Sequence, residues 1–220
     1  MIVGCSTAID WSATGSMLSG IGTLAGVGAV VWAANKAADT FDNWKKQKIT
    51  ERHIEQAERI LTATYEANDA LNYARGRFTH AWEDDEAREQ EKENDYWTGL
   101  LEAKQKRVVH ARARLNRLRN CKDEQEALRL CRPMAKALWG DALHKALTDF
   151  HHQFWILETY IRAYVDDEGG TDKDFTKKIR QAMYSSENDT DDEISSKVIE
   201  CIGGIESILL PILRAEKTER

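Results

Sequence analysis

From Trp11 to Asn35 the chain runs for 25 residues without an Asp, Glu, Lys or Arg, in a sequence that is 31% charged overall. As a helix rising about 1.5 Å per residue, such a run covers the roughly 30 Å hydrocarbon core of a bilayer, so it predicts a single transmembrane helix. The run is diluted, however. Ser12, Thr14, Ser16, Ser19 and Thr23 accompany Gly15, Gly20, Gly22, Gly26 and Gly28, and the large aliphatics are Leu18, Ile21, Leu24, Val27, Val30 and Val31. On a helix Ser12, Ser16 and Gly20 fall at intervals of four and Gly22 with Gly26 forms a GxxxG step, a face on which two backbones approach closely in lipid. Two further readings stay open: a helix lying on a membrane surface, and a helix buried in a soluble assembly.

Trp11 and Trp32 stand near the ends of the run, where indole rings favour the headgroup level. No Lys or Arg precedes it, whereas Lys36, Lys45, Lys46, Lys48 and Arg52 follow closely. The positive-inside bias then puts residues 1–10 outside an inner membrane of bacterial type and the bulk of the chain in the cytoplasm.

The remaining 185 residues suffice for one helical domain. Only Pro133 and Pro211 interrupt a composition rich in Ala, Leu, Glu, Lys, Arg and Gln, and no period-two strand pattern is visible, so the fold class is all-α. The positions His53, Ala57, Ile60, Thr64, Ala67, Leu71, Ala74 and Phe78 advance by four and three, as do Trp97, Leu101, Lys104, Val108, Ala111, Leu115 and Leu118. These stripes predict a long helical hairpin over 36–132, coiled-coil-like, with the acid-rich stretch 83–95 as a solvated helix or connector. A small helical bundle follows over 133–220. Just before it Asp123 opens a helix that Pro133 ends or kinks; within it one helix runs from Leu138 to Tyr164, and Thr190 with Glu193 forms a capping box for the last helix.

The formal charge is −6, or −5 without Asp10, which argues against nucleic acid as a general partner. One local patch opposes this balance: Lys104, Lys106, Arg107, Arg112, Arg114, Arg117, Arg119 and Lys122 occur without an intervening acid. Because these cations surround an apolar stripe, the acids of 83–95 are expected to neutralise them. Cys5, Cys121, Cys131 and Cys201 lack a CxxC pair and read as reduced thiols. His144, His151 and Glu158 share a helical face, yet residues seven apart lie about 10 Å from one another along a helix, too far for one ion. Asp189, Asp191, Glu193 and Glu200 echo a calcium loop but lack its glycine. No metal or other cofactor is expected.

Arg75-Gly76-Arg77-Phe78-Thr79-His80 resembles the Arg-x4-His spacing of the HEPN family of helical ribonucleases, over these six residues and with Gly76 where that family commonly has a polar residue. The resemblance implies charge stabilisation by Arg75 and proton transfer by His80. The leading expectation is different: a single-pass, membrane-anchored helical scaffold that self-associates and engages the bilayer and an unidentified protein. The competing expectations are a membrane-perturbing oligomer and the ribonuclease.

Overall fold

A computed structural model describes residues 11–167, 172–184 and 192–215; of residues 11–25, 31 and 215 it describes the backbone alone. Among the described residues the chain is all-α, with seven α-helices and a single 3-10 turn. They are α1 (Trp11–Ala74), α2 (Ala81–Lys92), α3 (Glu102–Asn120), α4 (Lys122–Trp139), α5 (Asp141–Asp166), α6 (Lys173–Met183) and α7 (Glu193–Ala215). Two compact units divide the chain, one ending at Arg52 and the other beginning at His53.

In the second unit α5 is the central helix. Leu143, Leu147, Phe150, Phe154, Leu157 and Ile161 advance by four and three and are all essentially inaccessible. That face packs against α3, α4, α6 and α7. Ala57, Ile60, Thr64, Ala67, Leu71 and Ala74 of α1 join the same core, as the first stripe predicts. The alanines among them let helices approach closely, and Thr64 closes its hydroxyl on its own helix at the Ile60 carbonyl (2.7 Å). Tyr65 donates to Glu206 of α7 (2.6 Å), and the His53 and Trp139 rings meet edge to face. Phe78 departs from its stripe. The helix ends at Ala74, the 3.6-residue period ends with it, and Phe78 is 84% exposed. Leu101 is exposed for a similar reason, standing just before α3.

A hairpin also forms between two elements that the stripes do not pair. The acidic stretch forms α2 and folds back on α3, with Glu83 opposite Arg117 and Glu91 opposite Arg112, an antiparallel register. Ala87, Val109 and Ala113 close a small apolar contact between them, covered by Trp97.

Three helix boundaries also differ from expectation. Pro133 neither ends nor bounds α4. It removes the hydrogen bond that would reach the Arg129 carbonyl, but the Arg132 side chain donates to that oxygen instead (3.3 Å). The break falls at Gly140, which adopts φ +82°, a conformation glycine reaches without penalty, so Leu138 belongs to α4. For α7 the capping oxygen is that of Asp192, which accepts from the Ser195 N–H (2.8 Å); Thr190 lies outside the described residues.

Among the described residues no helix is long and apolar enough to cross a membrane, and the transmembrane reading of 11–35 is not supported. Five glycines and five hydroxyl residues dilute its six large aliphatics. The packing positions Ser12, Ser16, Gly20 and Gly22, and the interface residue Trp11, fall outside the described side chains.

Candidate functional site

The residues singled out by sequence separate into two groups, one sealed inside the second unit and one displayed on α1. The sealed group surrounds the turn after α1. Arg75 is 1% exposed and donates to the carbonyls of Ala182 (2.8 Å) and Gln181 (3.0 Å), to Ser195 Oγ (2.8 Å) and to Asp192 Oδ1 (2.7 Å). Its guanidinium thus ties the end of α1 to α6 and α7. Arg117, also buried, forms a two-point pair with Glu83 (2.7 and 2.6 Å) and donates to the carbonyls of Tyr73, Gly76 and Phe78, with its plane over the Tyr73 ring. Such paired geometry is the form in which a buried charge is tolerated. Glu83 also accepts from the His80 N–H (2.7 Å), so one carboxylate holds both the start of α2 and the buried cation. Hydrogen bonding to Arg117 holds the Glu83 carboxyl below the usual carboxylate range, and Glu83 in turn raises the Arg117 pKa.

Arg114 is fully buried and its contacts are of another kind. It faces the carbonyls of Gly76 (3.0 Å), Ala74, Arg77 and Met183, and lies 4.5 Å from the centre of the Tyr184 ring. Backbone dipoles and an aromatic face here take the place of a counterion. Burial lowers its pKa, and burial followed by the charge of Arg114 lowers that of His110. A neutral His110 fits the geometry, because its Nε2 lies within reach of Arg114 and of the Tyr184 hydroxyl (3.1 Å). Gly76 is closely approached in this arrangement, and a side chain there would make its neighbours shift by a few tenths of an ångström. A Cβ there would stand 3.2 Å from the Arg117 guanidinium and 3.1 Å from the Tyr73 carbonyl oxygen.

The basic patch therefore does not form one surface. Arg114 and Arg117 are internal, Arg112 pairs with Glu91, Lys106 pairs with Glu102 (2.7 Å), and Arg107 donates to the Asp167 carbonyl. Lys104 is half-buried, whereas Arg119 and Lys122 are exposed. Nor are the two residues of the ribonuclease-like motif brought to a common surface. Arg75 is enclosed, and His80 is exposed at the start of α2, stacked beside Trp82. His144 lies near the Arg132 carbonyl, Glu158 pairs with Arg162, and among the described residues no group of three or more His, Cys, Asp and Glu is placed to hold a metal.

The displayed group is the helix from Gly26 to Arg52. Every residue whose exposure is described there is exposed, Gly26 and the lysines 36, 45, 46 and 48 included. So are Val27, Val30, Trp32, Phe41, Trp44 and Ile49, with Val30 at 69% and Trp32 at 66%. Sequence reading singled out Trp32 and these lysines as a membrane interface but passed over Phe41 and Trp44, whose rings lie 5.8 Å apart. Their three-residue spacing on a helix was the available signal. No protein-family model matches this chain, and no curated protein or solved structure resembles it significantly.

Proposed function

We propose that this protein is a membrane-associated helical scaffold, in which the second unit is a closed helical body and the helix ahead of it is the attachment segment. One observation carries the reading: between Gly26 and Arg52 six large apolar side chains are exposed, in a stretch of α1 where no described residue is buried. An isolated helix is marginal in water, and contiguous exposed apolar surface marks an interaction site. Lysines 36, 45, 46 and 48 among these residues suit a surface carrying anionic headgroups. The chemistry-bearing arginines of the body are consumed by internal bonds, which favours an architectural role for it.

Flotation of the intact protein with vesicles containing anionic phospholipid tests the proposal. Wild type is expected to float with the vesicles, and a Val30→Asp, Trp32→Asp double variant to remain with the soluble fraction. A wild type that stays at the bottom of the gradient would overturn it.

A further inference from the structure

Two adjoining clefts open along α3 where it packs against α5. Val108, Ala111, Leu115 and Leu118 advance by three and four and form one apolar stripe, part of which α5 leaves uncovered. The larger cleft, about 410 Å³, is lined by Val108, Ala111 and Leu115, with Leu100 and Val165 beside them. Charges on its walls offset one another: Arg112 pairs with Glu91, and Lys104 and Asp166 bring one charge of each sign. The smaller cleft, about 160 Å³, shares Leu115 and Arg162 with the larger one and adds Leu118, Arg119, Lys122, Gln125 and Glu158. Among the described residues lining it Glu158 is the single carboxylate, and Arg162 pairs with it (2.7 Å). Arg119 and Lys122 are exposed there with no carboxylate of that cleft left to them. An apolar trough thus ends in a cationic one.

We propose that the joined clefts bind a single-chain anionic amphiphile, a free long-chain fatty acid, with its carboxylate on Arg119 and Lys122 and its tail over Leu115, Ala111 and Val108. The occupant follows from the order of the two linings. It must be apolar along most of its length, because each methylene laid on the aliphatic wall leaves water, whereas a charge placed there would lose its hydration. It must be anionic at one end, where the Arg119 guanidinium can grip a carboxylate at two points and Lys122 adds a point charge. Size agrees. The larger cleft falls within the range of about 300–1,000 Å³ usual for small-molecule sites, and α3 rises roughly 21 Å between Val108 and Lys122, a span suited to an extended acyl chain. A peptide helix, about 10–12 Å across, is too thick to enter clefts of these volumes. The site belongs to the second unit alone and is independent of the attachment role of the helix ahead of it.

Displacement of a dansyl-labelled fatty acid from the intact chain by palmitate, below its micelle concentration and without detergent, tests this. Wild type should bind palmitate about tenfold more tightly than palmitate methyl ester, which keeps the tail and lacks the charge. Arg119→Glu with Lys122→Glu should abolish that preference and leave ester binding unchanged. Lys177→Glu with Lys178→Glu, an equal change of net charge at exposed positions of α6, should alter neither. Val165→Trp, with its helicity checked by circular dichroism, should fill the larger cleft and weaken acid and ester alike. Phe41→Asp with Trp44→Asp should bind palmitate as wild type does. A wild type that binds no palmitate, or an equal effect of the two charge reversals, would overturn the proposal. So would loss of binding in the Phe41 and Trp44 variant, which would move the ligand to the exposed stretch of α1. Membrane attachment is decided separately, by flotation.

Discussion

The two halves of α1 use the same spacing with opposite results. From Ala57 to Ala74 the stripe of threes and fours is buried, and from Val27 to Trp44 it is exposed. Composition explains the contrast. The buried half is built largely of alanine, with Ile60, Leu61 and Leu71 as its large members, so it fits among helices that close around it. The exposed half places two aromatic rings on its stripe with lysines beside it, groups suited to a covering that lies partly in water. Periodicity thus identifies a face that must be covered, and side-chain size and charge indicate whether the covering lies inside the chain.

This contrast predicts a gradient of sensitivity. The largest losses should come from the sealed arginines. Asp192→Ala leaves Arg75 buried without its carboxylate, and urea unfolding of the intact chain should show a loss of about 3–5 kcal/mol. Leu71→Ala removes a fully buried side chain from the packed half of α1 and should cost about 2–5 kcal/mol by the same measurement. Acid should reveal the Glu83–Arg117 pair. Since the folded carboxyl titrates below its ordinary value near 4.5, its contribution is complete above that value and disappears as pH falls through the lower folded value. Between pH 5 and pH 3 wild type should therefore lose more stability than Glu83→Gln, a difference readable as the shift in urea midpoint. His110 acts in a higher window, from its ordinary value near 6.5 downward. There the unfolded chain takes up a proton that the folded one resists, so stability falls on acidification and His110→Gln should flatten the slope. The smallest effect is expected in the exposed half, where Val30→Ala should change the unfolding free energy by no more than about 0.5 kcal/mol. A large loss at Val30 would break the comparison.

Much of this architecture was legible because it repeats locally. The stripes Ala57 to Ala74 and Leu143 to Ile161 carry their period in sequence and were buried as that period required. What escaped depends on contacts between distant residues. Arg114 and Arg117 look like surface charges, and the carbonyls and carboxylate that accept from them belong to residues about forty positions earlier and, for Met183, far later. A hint was present: Arg114 lies three residues after Ala111 and four before Leu118, within the buried stripe itself. Pro133 misled because the rule for proline considers the lost backbone donor, and here the neighbouring Arg132 replaced it. Gly140 was overlooked as a break because a lone glycine is common in helices; its positive φ reveals its role only in three dimensions. The displayed site was half legible, since Trp32 and the lysines stood out by composition and Phe41 with Trp44 required helical phase.

The most direct measurement is flotation of the intact protein with vesicles containing anionic phospholipid, compared with that of a Phe41→Asp, Trp44→Asp variant. Wild type should rise with the vesicles, and the variant should stay in the soluble fraction at an unchanged melting temperature, since both side chains are exposed. A wild type that stays at the bottom of the gradient, or a variant that floats as wild type does, would contradict the assignment of this exposed stretch of α1 to membrane attachment.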